Sequence, residues 1–131
     1  MSRILDLPLL SFSVETGTNE DWTDAWAYVD VNGAPISGAG ITLNMMMRAT
    51  ADAASVQIVA SSVSGAIGGL PLNGALVWGG TGMNVVALAI PVDTMQRIPP
   101  GSYVAEVLAI AEGRQKVIAT IAVTIVRGVV R

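Results

Sequence analysis

The stretch SYVAEVLAIAEGRQKVIATIAVTIV, residues 102–126, decides the fold. Two runs rich in valine, isoleucine and alanine flank Glu112-Gly113-Arg114, and β-branched residues on either side of a short polar, glycine-bearing break predict a β-hairpin. In the second run Val117, Ala119, Ile121, Val123 and Ile125 fall on one face of a period-two pattern. Ile118, Thr120, Ala122, Thr124 and Val126 fall on the other. Pro99-Pro100-Gly101 separates this hairpin from what precedes it.

Working back from the hairpin, residues 92–98 read as a connection containing one helical turn capped by Asp93. Residues 84–90 are almost wholly apolar, which predicts a strand covered on both sides and ended by Pro91, since proline cannot donate to a ladder. Residues 41–50 alternate: Ile41, Leu43, Met45 and Met47 on one face, Thr42, Asn44, Met46 and Arg48 on the other. Residues 25–31 alternate as well, with Trp26 and Tyr28 sharing a face, and Asn32-Gly33 supplies a tight turn. Short strands are expected at 56–63, 75–78 and 9–15, with a glycine-rich loop over 64–74. Seven or eight strands without a long helix predict an all-β chain, an antiparallel β-sandwich of immunoglobulin-like type, with a small β-barrel as the alternative. At 131 residues with no polar linker, one domain spanning 1–131 is expected.

Composition narrows the chemistry. The chain has no cysteine, which removes disulfides, thiolate metal sites and cysteine nucleophiles and fits a reducing compartment. It has no histidine, which removes the commonest general base, the commonest metal ligand and any imidazole-based triad. No catalytic residue, cofactor or metal is expected, and the chain reads as a non-enzyme. Charged residues make up 13% of it, against about 25% for soluble domains. A small domain with so few charges exposes apolar atoms unless a partner chain covers them. The charge is lopsided along the sequence, −5 over residues 1–60 and +2 over the remainder, an asymmetry that suggests head-to-tail stacking but is too sparse in bases for nucleic acid. No window is apolar enough for a spanning helix, and Asp6 and Pro8 interrupt a secretion signal.

Candidate sites are few. Glu15, Glu20, Asp21 and Asp24 offer carboxylates but match no calcium-loop spacing, and they read more simply as solvated loop acids. Gly79-Gly80-Thr81-Gly82 lacks the lysine and helix of a phosphate loop, which leaves a hairpin or loop. Lys116, the only lysine, reads as a solvent-facing residue. Trp22, Trp26, Tyr28 and Trp78 suit core or interface packing, or alternatively a stacking platform for a carbohydrate. Met45, Met46 and Met47 place thioethers on both faces of one strand, which suits an adaptable contact surface. The interface candidates are Trp22, Trp26, Tyr28, Met46, Trp78 and the terminal Arg131.

Two blocks carry a family resemblance. Residues 99–108 read PPGSYVAEVL, followed by the Glu112-Gly113-Arg114 turn, an apolar strand and VRGVVR at 126–131. Upstream, residues 26–36 read WAYVDVNGAPI, ahead of the strand at 41–48. This resembles small virion proteins of tailed bacteriophages, whose closing hairpin has a pro-x-gly-x-tyr entry and ends on gly-val-thr-arg. Val130 stands where threonine is usual, and the middle of the chain is unmatched. The resemblance implies a β-sandwich subunit of a tail, baseplate, neck or fibre. Its partners would be other virion proteins and copies of itself, and it would reside in the host cytoplasm before assembly. Carbohydrate or other ligand binding is the alternative function.

Overall fold

The structure, a computed structural model, describes residues 7–50, 55–63, 66–67 and 70–127. Ten strands and one short helix follow in the order β1 (Leu10–Gly17), β2 (Trp22–Ala27), β3 (Thr42–Arg48), β4 (Ile58–Ser61), β5 (Ala66–Ile67), β6 (Leu70–Pro71), β7 (Gly74–Gly79), β8 (Val85–Ile90), α1 (Val92–Met95), β9 (Gly101–Ala111) and β10 (Arg114–Val126). Eight of them make one sheet in the order β1-β10-β9-β3-β4-β7-β8-β2, while β5 and β6 pair separately. The expected loop over 64–74 therefore carries a two-residue ladder, and its residues 64, 65, 68 and 69 lie outside the described residues.

The chain is an all-β sandwich. Neighbouring strands are antiparallel except at two places, β1 beside β10 and the short β4–β7 junction, where only Ala60 and Ser61 pair. The free edges, β1 and β2, meet through a tilted ring contact between Phe12 and Trp26 at 5.3 Å, so the architecture lies near a closed barrel. Between the halves sits one apolar cluster, including Leu43, Met45, Met47, Ile58, Leu76, Leu88, Ile90, Val107, Ile121 and Val123.

Three local expectations change. Residues 25–31 are not one strand: β2 ends at Ala27, and an isolated bridge between Val29 and Pro35 carries the chain into a turn. There Asp30 Oδ1 accepts from the amides of Asn32 and Ala34 and Gly33 takes a φ of 81°. Asp93 does not cap α1. The cap position is Pro91, and the exposed first amide, Val92 N, donates to Asp21 Oδ1 at 2.7 Å from the loop before β2. Asp21→Ala is expected to cost about 1 kcal/mol, the usual value of a lost side-chain cap, read as a lower urea midpoint at unchanged slope.

The third change lies in β10. The ladder with β9 slips by one residue between Val117 and Ala119, which makes Ile118 a β-bulge. Val117 therefore shares the outer face with its partner Leu108, while Ile118 and Ala119 are both buried. The bulge frees the Ile118 carbonyl from the ladder, and the Tyr28 hydroxyl donates to it at 2.5 Å. That hydroxyl in turn accepts from Trp26 Nε1 at 3.0 Å. Burial strips water from a would-be phenolate and pushes the Tyr28 hydroxyl up to about 12, with the Trp26 hydrogen bond acting weakly in the opposite sense.

Candidate functional site

In β2 large and small side chains alternate: Trp22 and Trp26 point inward, while Thr23, Ala25 and Ala27 are exposed. In β8 the buried residues are Val86, Leu88 and Ile90, and Val85, Ala87 and Ala89 face out. In β7 Leu76 is buried, and Ala75 and Val77 are exposed. The cross-strand register lines these outward residues into three rows, Thr23-Ala89-Ala75, Ala25-Ala87-Val77 and Ala27-Val85-Gly79. The solvent face of an antiparallel sheet is ordinarily polar. This one holds no charge, one hydroxyl and nothing larger than valine. A hollow of about 670 Å³ opens at its lower end between Thr23, Gly74, Ala89 and α1 residue Thr94.

This overturns the expectation that β8 is covered on both sides, since Ala89 is exposed and Val85 and Ala87 are half-buried. The apolar run reflects an uncovered face. The signal was present in the sequence as the alternation of large Leu88 and Ile90 with small Ala87 and Ala89, a contrast repeated in β2.

The second outer face belongs to β10, β9 and β3. Its rows are Val117-Leu108-Asn44, Thr120-Glu106-Met46 and Ala122-Val104-Arg48. Met46, Val104, Leu108, Ile110 and Val117 are all half-buried there, in contrast to Met45 and Met47, which are fully buried on the inner side. A hollow of about 180 Å³ is lined by Asn44, Met46, Arg48, Glu106, Leu108 and Val117.

The indoles occupy the inner side of the sandwich. Trp22 is buried, and its Nε1 donates to Asp24 Oδ2 at 2.6 Å. Trp26 and Trp78 flank buried Val86 in one row. Trp78 donates to the Ile41 carbonyl at 3.1 Å and meets Tyr28 edge-on at 6.0 Å. These three rings thus face the interior and form no outward platform, and Tyr28 is fully buried beside them. Arg131 lies outside the described residues.

The acidic residues are tied to local structure. Glu20 Oε1 accepts from the Gly17 amide at 3.1 Å, Asp21 holds Val92 N, and Asp24 holds Trp22. Among the described residues no group of three or more potential ligands is arranged for a metal ion. The Gly79–Gly82 segment is the β7–β8 hairpin connection, closed by a bond from Met83 N to the Gly80 carbonyl. The fold also redistributes the charges that the sequence holds in separate halves. Parallel pairing of β1 with β10 brings Arg127 to the same end as Glu15, Glu20 and Asp21, and Asp30 goes to the opposite end with Glu112 and Arg114. Among the described residues no helix is long and apolar enough to cross a membrane.

No protein-family model matches the chain, and no curated protein matches it. Among solved structures it is similar to the second immunoglobulin domain of the mouse polymeric immunoglobulin receptor. The TM-score is 0.52 and the identity 12%, over 88% of this chain and 96% of that one. At that identity the likeness describes the fold alone, an immunoglobulin-like sandwich.

Proposed function

We propose that this chain is a structural subunit of a tailed-phage or prophage-derived particle, acting by self-assembly or by docking onto other virion proteins. It performs no covalent chemistry of its own. The observation that carries the assembly role is the uncharged outer face of β2, β8 and β7. Alanine and glycine surrender no side-chain rotamers on docking, and their small size lets another sheet approach closely, so such a face associates at low entropic cost. A few exposed apolar residues are ordinary, whereas three whole rows without a charge mark a covered surface. The resemblance of residues 22–48 and 98–131 to small virion proteins supplies the particle. Those blocks form β2, its turn and β3, and then the β9–β10 hairpin. The alternative, a carbohydrate-binding module built on Trp22, Trp26 and Trp78, requires open indoles, and all three face inward.

Light scattering coupled to size exclusion, followed by negative-stain microscopy, tests the assembly role. Wild-type protein is expected to form defined oligomers, rings or tubes. Ala87→Asp, at the centre of the face, is expected to shift it to smaller species while far-UV circular dichroism stays unchanged. A wild-type monomer at every concentration, with Ala87→Asp indistinguishable from it, would sink the reading.

A further inference from the structure

We infer that the outer face of β3, β9 and β10 is a two-fold interface between copies of this chain, in which Arg48 of each copy pairs with Glu106 of the other. The inference rests on the reading of the chain as an assembling subunit and names the surface and the occupant. The face is apolar around Met46, Val104, Leu108 and Val117, and its middle rows hold one base and one acid, Arg48 and Glu106. The register sets Arg48 opposite Val104 and Glu106 opposite Met46, so the two charges are diagonal neighbours on adjacent strands. Cα atoms so placed lie about 7–8 Å apart. Neither charge has an ionic partner among the described residues. The Arg48 guanidinium instead lies over its own strand, with Nη2 donating to Met46 Sδ at 3.4 Å.

Symmetry makes this arrangement self-complementary. An axis lying between two such faces, midway between Arg48 and Glu106 and perpendicular to the line joining them, superposes each Arg48 on the other copy's Glu106. One acid and one base therefore give two intermolecular pairs, as an isologous contact requires. The hollow beside Met46 and Leu108 offers space for an apolar side chain of the facing copy. An unrelated partner would have no reason to present the mirror order of charges, whereas a second copy presents it by construction. Opposite charges at matched positions fix orientation and register, and like charges there are strongly unfavourable.

The test is a charge exchange. Wild type, Glu106→Arg, Arg48→Glu and the double variant are compared by sedimentation equilibrium, with circular dichroism and urea midpoints as folding controls. Each single variant sets like charges face to face and is expected to weaken self-association by about tenfold or more, while the double variant restores it to near the wild-type level. Single variants that associate like wild type, or a double variant no better than the singles, overturn the proposal. If wild type and all variants form the same oligomers, assembly stands and uses another face. If wild type is monomeric at every concentration, this interface and self-assembly fall together.

Discussion

Tyr28→Phe is expected to lower the unfolding free energy by about 2–4 kcal/mol, although it removes a single oxygen atom. That oxygen has two neighbours that would be left without a partner, the Ile118 carbonyl at the bulge and the Trp26 indole N–H. A buried polar group left unsatisfied costs about 1–3 kcal/mol, and the phenylalanine ring reaches neither group. The variant should show a lower urea midpoint with little change in slope.

The same residue sets an alkaline limit. The hydroxyl is raised from 10.0 to about 12, so between those values the folded chain holds a proton that the unfolded chain has released. Stability from this group is therefore complete below pH ~10 and is lost as pH rises toward ~12. Unfolding curves at pH 8, 10 and 11 are expected to show wild type weakening over the last step, with Tyr28→Phe flatter across it. Equal slopes in the two proteins would remove Tyr28 as the cause.

Gly38→Ala is expected to cost about 2–4 kcal/mol. A Cβ at this position would lie 2.1 Å from Cδ2 and Cε2 of Trp78, inside the ring's van der Waals surface. Position 38 is not among the residues with positive φ, so the penalty is steric. The indole has little freedom to yield, because Nε1 is held by the Ile41 carbonyl and the ring meets Tyr28 edge-on. Overpacking costs about 1–3 kcal/mol, and displacing the ring forfeits about 1 more for its hydrogen bond. The check is a double-mutant cycle in urea. In a Trp78→Leu background the alanine should cost far less, and an equal cost in both backgrounds would show that Trp78 is not what it strikes.

The sequence by itself determined the positions of the strands and most turns, because alternation and glycine or proline punctuation are local properties. Leu43, Met45 and Met47 are inward as their spacing requires, and so are Ile121, Val123 and Ile125. Alternation says that two faces differ and is silent on what lies over each. The outer face of β8 therefore read as covered, when Ala89 is exposed and Val85 and Ala87 are only half-buried. The bulge at Ile118 was hidden for a related reason. Val117 and Ile118 are nearly interchangeable in size and β-preference, and the carbonyl freed at the bulge takes its hydrogen bond from Tyr28, 90 positions away. Charge followed the same rule. The acidic first half and basic second half are a property of the linear order, and parallel pairing of β1 with β10 brings parts of both to one end. Only the tertiary structure decided which faces are left uncovered and which charges stand beside each other, because both depend on the pairing of strands far apart in the chain.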